Sequence, residues 1–98
     1  MLNNIVQRTI ANKKAKGFPL YDISGDIERI RKELIELDEA EFKDRGGEIA
    51  DIIIFCCGIA GYSNMNLEEE VLKKMEKIEK RIITIENGEF KKKEGSVL

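Results

Sequence analysis

The stretch EIADIIIFCCGIAGY, residues 48–62, decides the fold of this chain. It is apolar on nearly every side of a helical wheel, which is typical of a helix packed against neighbours on several sides. Its apolar run of about 14 residues contains Asp51 and is shorter than the 20 or so residues that cross a bilayer. We therefore expect the central helix of an all-α domain, and no membrane span.

The sequence before this stretch has the three- and four-residue apolar spacing of amphipathic helices. Residues 3–16 are expected to form the first helix, which Gly17 ends. The second helix is expected to begin near Ser24 or Asp26 and to run to about Lys43. Its apolar seam is predicted at four positions: Ile27, Ile30, Leu34 and Leu37.

The sequence on either side of the central helix contains further boundary signals. Gly46-Gly47 is expected to break the chain before that helix, and Asn66 is expected to cap a fourth helix with Glu69 in capping-box position. The seam of the fourth helix is predicted at Val71, Met75, Ile78, Ile82 and Ile85. Asn87-Gly88 fits either a helix end or the turn of a short hairpin. The fold expected is an antiparallel bundle of about four helices, with a C-terminal hairpin or disordered tail.

Composition limits the possible classes of protein. With 98 residues the chain predicts one domain, residues 1–86, and a polar C-terminal tail, residues 87–98, in which the lysines 91–93 are expected to be disordered. A domain this small buries a limited core, so we expect a homodimer or a dimer of dimers through the third and fourth helices. The balance of 17 basic and 19 acidic residues argues against a nucleic acid polymer as partner. Cys56 and Cys57 are adjacent and cannot bridge in a helix, which favours a reducing, cytoplasmic setting.

Four carboxylates are candidates for chemistry. Asp51 lies in the most apolar helix, where an unpaired charge would cost several kcal/mol, and Glu48 precedes it by three residues. Glu33 and Glu36 have the same spacing on the second helix, and a short connection is expected to bring the two pairs together. Converging carboxylates favour a hard divalent cation, Mg²⁺ or Mn²⁺. The chain has no histidine, which excludes the Glu-x-x-His elements of di-iron bundles.

The spacing alone leaves alternatives open. Two other acidic pairs on the second segment have the same spacing, Glu36 with Glu39 and Asp38 with Glu41. Glu48 and Asp51 are also compatible with neutralisation by a local lysine or arginine.

The two motifs ELIELDEA, residues 33–40, and EIADIII, residues 48–54, resemble the paired motifs of the MazG-like all-α nucleoside triphosphate pyrophosphohydrolases. Residues 15–18, AKGF, resemble the family's small-x-Gly-aromatic end of the first helix, and residues 67–72 its acidic start of the last helix. Lys74 and Arg81 match its C-terminal basic positions, although Ile78 stands where the family often has asparagine. The match spans about residues 5–82 and selects Glu33 and Glu36 over the competing pairs.

The resemblance implies Mg²⁺-dependent hydrolysis of a nucleoside triphosphate to a monophosphate and pyrophosphate, with Mn²⁺ a possible substitute. It implies a metal site formed by Glu33, Glu36, Glu48 and Asp51. Glu36, as the more exposed member of its pair, or Glu33 would accept the proton of the attacking water. Lys74 and Arg81 would contact the substrate phosphates, in one arrangement from the partner chain of a dimer. The alternatives are a non-catalytic helical interaction domain and a nucleotide- or metal-binding relative that has lost turnover.

Overall fold

The computed structural model of the chain describes the backbone of residues 1–81, 83–86 and 88–92. Its helices are α1 (Leu2–Lys16), α2 (Ile23–Glu39), α3 (Arg45–Tyr62) and α4 (Leu67–Lys80), with a 3₁₀ turn at Phe42–Asp44. Two short strands follow, β1 (Ile83–Glu86) and β2 (Glu89–Lys92). The predicted all-α helical class is confirmed. The chain divides into two compact units, Met1–Leu67 and Glu68–Leu98.

The first helix ends as the sequence predicts. Gly17 takes the left-handed conformation, with φ 71° and ψ 23°, and its N–H donates to the carbonyl of Lys14 at 3.2 Å. The next N–H, of Phe18, donates to the carbonyl of Lys13 at 2.9 Å. Glycine populates this backbone region without the steric cost that a Cβ brings, which explains why α1 stops here.

The start of α2 differs from the prediction. Asp22 is the N-cap, and its carboxylate accepts a hydrogen bond from the backbone N–H of Gly25 at 3.1 Å. Ser24 and Asp26, the predicted caps, lie inside the helix. The backbone N–H of Gly25, three residues after Asp22, has no partner within the helix and lies within hydrogen-bonding distance of the Asp22 carboxylate, which is the usual N-cap geometry.

The connection between α2 and α3 also differs. Helix α2 ends at Glu39, not near Lys43, and the chain then enters the 3₁₀ turn, closed by the N–H of Asp44 to the carbonyl of Glu41 at 2.9 Å. This turn continues directly into α3, so Gly46-Gly47 lies in the first turn of that helix and does not break the chain. A preceding turn supplies the nucleus that a helix otherwise forms at a cost, so two glycines are tolerated there.

Helix α3 is central within the first unit, since it packs against both α1 and α2. The buried core consists of Val6, Cys57 and Ala60, with Leu2 and Ile5 packed against it. Within the single chain α3 is covered only in part, because Ile49, Ile53 and Ile54 are 47%, 46% and 45% exposed, and the remaining cover is predicted to come from a second chain. The N-terminal half of α3, which carries these isoleucines, therefore presents apolar surface in the single chain. Oligomerisation stays a prediction.

The buried side of α2 is rotated from the predicted seam. Ile27 and Leu34 are 41% and 50% exposed, whereas Asp26 is buried and Glu33 is half-buried. The covered positions follow a 4-3-4 spacing: Asp26, Ile30, Glu33 and Leu37. The side of α2 that is covered within this unit thus carries two carboxylates.

The second unit contains a hairpin. β1 and β2 are antiparallel, with Ile83 opposite Lys92 and Glu86 opposite Glu89, and Gly88 has φ 80°. Helix α4 ends at Lys80, so the predicted continuation of its seam to Ile85 is wrong, while Ile82 lies outside the described residues. Residues 89–92 form the second strand of the short hairpin that was predicted as one alternative to a disordered tail, and residues 93–98 lie outside the described part.

Among the described residues, no single helix is long and apolar enough to cross a membrane. Two successive segments, Phe42–Tyr62 and Leu67–Lys80, have the required length and apolar composition only when they are combined.

Candidate metal centre

Three carboxylates meet where α2 and α3 are connected. One oxygen each of Glu33, Glu36 and Glu48 lies within 4.8 Å of the others. Glu33 and Glu36 are three residues apart and so share one side of α2, while Glu48 lies in the first turn of α3. The short connection through the 3₁₀ turn folds α3 back along α2 and places these groups opposite one another.

Two of these carboxylates have an oxygen withdrawn from water. Glu33 and Glu48 are half-buried, and Oε2 of each has no hydrogen-bond donor among the described residues. A buried carboxylate oxygen without a donor is costly, so each is a place where a cation would be stabilised. Glu36 is exposed, which confirms the prediction that it is the more exposed member of its pair with Glu33.

The pKa of Glu33 reflects the concentration of negative charge in this cluster. Its pKa is raised from 4.5 to about 7, first by desolvation, then by the hydrogen bond and charge of Glu36, and further by Glu48 and Asp51. Each cause disfavours an additional negative charge at this place. The cluster is therefore short of positive charge in the isolated chain.

Asp51 lies one turn of α3 beyond Glu48 and is exposed. The prediction that it is buried is wrong, because the side of α3 that carries it is open to an acidic cavity of about 550 Å³. Glu36 and Glu48 line the same cavity, as do Glu39 and Asp44. Asp51 is thus placed beside the three-carboxylate cluster, and Glu39 of the competing Glu36–Glu39 pair lies on the cavity wall outside it.

The donor set fits a hard cation. Every group in the cluster offers carboxylate oxygen, which Mg²⁺ and Mn²⁺ prefer, and two of its oxygens lack donors. Cysteine ligands are not part of it: Cys57 is fully buried, with the pKa of its thiol raised by burial, and Cys56 is exposed. The residues that would hold the ion are Glu33, Glu36 and Glu48, with Asp51 adjacent.

The two predicted phosphate-binding cations belong to the second unit. Lys74 is exposed on α4, and Arg81 is the first residue after that helix. The Nε of Arg81 is buried and has no hydrogen-bond acceptor in the described part of the chain. Their contact with substrate stays a prediction.

A buried ionic network, which the sequence patterns did not indicate, lies at the other end of α2. Asp26 is 1% exposed and accepts from Lys13 Nζ at 3.2 Å and from Arg29 Nη1 at 2.9 Å. Lys13 Nζ also donates to the hydroxyl of Tyr62, which in turn donates to the carbonyl of Pro19 at 3.1 Å. The signal was the position of Asp26, seven residues before Glu33 and four before Ile30, on a helical side that an apolar pattern alone does not reveal.

A smaller cavity lies beside this network. It measures about 250 Å³ and is lined by Phe18, Phe55, Pro19 and the three charged residues of the network from α1 and α2. Phe18 is 53% exposed. Tyr21, the other aromatic of the loop, is 82% exposed, with its ring 5.9 Å from that of Tyr62.

Fold and site together define an all-α chain with a carboxylate centre suited to a divalent cation. The chain is similar to a protein of Salmonella phage PMBT28 named dATP/dGTP diphosphohydrolase, with 36% identity over 70 residues. This match covers 71% of the chain and 24% of the phage protein, so the chain spans about a quarter of that relative's length. No protein-family model matches the chain. No solved structure matches it either.

Proposed function

We propose that this chain is a Mg²⁺-dependent nucleotide pyrophosphohydrolase of the MazG-like type, which cleaves a nucleoside triphosphate into a monophosphate and pyrophosphate. The observation that carries the proposal is the cluster of Glu33, Glu36 and Glu48, whose oxygens lie within 4.8 Å of one another. The name of the phage relative, a diphosphohydrolase of dATP and dGTP, supports a purine nucleotide as substrate.

Each carboxylate has a role that follows from its surroundings. Glu33 and Glu48 each have a buried oxygen without a hydrogen-bond partner among the described residues and would hold the ion, with Asp51 as a further ligand on the cavity side. Bound Mg²⁺ would supply Lewis-acid stabilisation of the phosphate charge and lower the pKa of a coordinated water. Glu36 is exposed and lines the cavity, which supports its role as the group that would accept the proton of the attacking water.

The base and phosphates need partners beyond the carboxylates. Phe18 and Phe55 line the 250 Å³ cavity, where their rings would stack against a nucleobase. Lys74 and Arg81 are the proposed phosphate contacts, and a homodimer or dimer of dimers would allow them to act on the partner's site. The exposed isoleucines of α3 support such an assembly, and the two free cysteines support a cytoplasmic setting.

The test is a product assay with a panel of nucleoside triphosphates that includes dATP and dGTP, in the presence of Mg²⁺ or Mn²⁺. We expect pyrophosphate and a monophosphate, and a loss of at least about a hundredfold in rate for Glu48→Gln. Glu28→Gln, the same change at an exposed α2 carboxylate paired with Arg31, is the matched control. Release of orthophosphate would contradict the proposed bond cleavage. Metal binding without turnover would indicate the binding-only alternative.

A further inference from the structure

We infer that Lys13 and Asp26 are positioning residues, whose buried ion pair fixes α2 against α1 and α3 and thereby holds the metal carboxylates at their separation. The inference rests on the proposed function, because it concerns the metal centre assigned above. It gives a role to Asp26, the most buried charged group in the described part of the chain, which is not among the proposed metal ligands.

The pair is buried on both sides. The side chains of Lys13 and Asp26 are 12% and 2% exposed, and their N–O distance is 3.2 Å. Nη1 of Arg29 lies 2.9 Å from the other carboxylate oxygen of Asp26. The same nitrogen lies 3.7 Å from Oδ2 of Asp22, the N-cap of α2. Two cations thus meet two carboxylates, so the network is balanced in charge.

Three helices meet at the ammonium group of Lys13. The residue lies on α1, Asp26 on α2 and Tyr62 on α3, and the Lys13 Nζ lies 4.5 Å from the centre of the Tyr62 ring. A glycine of α3 makes the room: a Cβ at Gly58 would lie 3.3 Å from Nζ and 3.4 Å from Cε. The Lys13 side chain, which extends from α1, therefore lies against the α3 backbone at Gly58, and its contacts with Asp26 on α2 and Tyr62 on α3 fix its position.

The network and the metal centre occupy the same sides of two helices. Asp26 precedes Glu33 by seven residues on α2, and Glu48 precedes Tyr62 by fourteen on α3. Multiples of seven return to nearly the same side of a helix, with a drift of about 20° per heptad. A shift or rotation of α2 at Asp26 would therefore move Glu33 relative to Glu48, about 10 Å further along the helix.

The metal carboxylates cannot provide this restraint themselves. Before a cation binds, Glu33 and Glu48 repel each other and favour separation of α2 from α3. An apolar contact resists separation but tolerates sliding, whereas an ion pair with fixed hydrogen-bond partners specifies one arrangement. The Lys13–Asp26 ion pair holds α2 near α1 and α3 in one arrangement, and it does so at the opposite end of α2 from the repelling carboxylates.

The experiment measures Mn²⁺ affinity by calorimetry and the number of waters on bound Mn²⁺ by pulsed electron paramagnetic resonance. Both are recorded well below the thermal midpoint of each variant. For Asp26→Asn we expect a loss of roughly tenfold in Mn²⁺ affinity and additional bound water, because one carboxylate no longer reaches the ion. Glu28→Gln is the matched control and should change neither quantity.

A second variant separates positioning from stability. Lys13→Met combined with Asp26→Leu replaces the ion pair by apolar side chains, a change that often preserves or raises stability. We expect its thermal midpoint to recover while Mn²⁺ affinity stays low. Recovery of both would overturn the inference, as would an Asp26→Asn variant with unchanged affinity and hydration. If the wild-type chain binds no Mn²⁺, or if Glu48→Gln does not weaken binding, the proposed metal centre itself is wrong.

Discussion

Glu33 on α2 and Glu48 on α3 bring carboxylate oxygens within 4.8 Å of each other across a helical hairpin, and Oε2 of each is buried without a hydrogen-bond partner among the described residues. Two carboxylates in such a position destabilise the chain when both are ionised. The arrangement is stabilised either by a proton shared in the cluster or by a cation.

The metal-free chain should become more stable as the pH falls from about 8 towards 5. Glu33 has a pKa of about 7 in the folded chain against 4.5 as its ordinary value, so the folded state binds more protons between these values. Stability is then greatest below the unfolded pKa and is lost as the pH rises through the folded one. Thermal unfolding followed by circular dichroism in the presence of a chelator measures this.

Two variants identify the group responsible for that slope. Glu33→Gln cannot ionise and should flatten the dependence between pH 5 and about 8, with the midpoint above that of wild type at the alkaline end. Glu28→Gln changes an exposed carboxylate and should retain the slope. An equal slope in wild type and Glu33→Gln would assign the effect to other groups.

Mg²⁺ or Mn²⁺ should replace the proton as the stabilising partner at pH 8. A ligand that binds only the folded state stabilises it by about 2.7 kcal/mol at one hundred times its Kd. For a chain of this size the thermal midpoint should rise by more than about 10 °C. Glu48→Gln should abolish most of the rise. A rise of equal size in that variant would place the ion elsewhere.

The features of the fold that depend on local sequence, such as the end of α1 and the number of helices, were predictable. The left-handed glycine at position 17 ends α1, and four helices follow from apolar spacing. The orientation of α2 was not predictable from apolar residues, because its covered side carries Asp26, paired with Lys13, and Glu33, drawn into the carboxylate cluster. An apolar pattern assigns charged residues to water and so selected Ile27 and Leu34, which are exposed.

The site shows the same division between local and long-range information. The spacing of Glu33 with Glu36, and of Glu48 with Asp51, was visible in the sequence, as was a short connection between them. The burial of Asp51 was predicted wrongly because it depended on what covers α3, which its own sequence does not state. The buried lysine–aspartate pair was missed since its members are thirteen residues apart in different helices.

Gly46→Ala should stabilise the chain by about 0.5–1 kcal/mol. Gly46 lies in the first turn of α3, and a Cβ there would meet no atom within 4 Å, so alanine gains helix propensity without a clash. Had the two glycines broken the chain, the substitution would bring no such gain. Chemical denaturation measures the change.

Gly17→Ala is the matched control for that substitution. It also has open space, but its φ of 71° places a Cβ in the left-handed region, so we expect a loss of about 1 kcal/mol. Opposite signs for the two variants would establish that α3 begins before the glycines. A loss at position 46 equal to that at position 17 would contradict the helix start at Arg45.

The chain should associate through the open side of α3, with a molar mass of two or four chains by light scattering at micromolar concentration. Ile49 and Ile53 are nearly half exposed and lie one turn apart on the same side of that helix, and Ile54, next in sequence, is equally exposed, which is apolar surface that a monomer seldom leaves in contact with water. Ile53→Glu places a charge in its centre and should yield single chains, because burying that charge costs several kcal/mol. Ile53→Leu keeps the apolar surface and should associate as wild type does. A wild-type molar mass of one chain would show that these isoleucines remain exposed in solution, and Lys74 and Arg81 could then not act on a partner's metal centre.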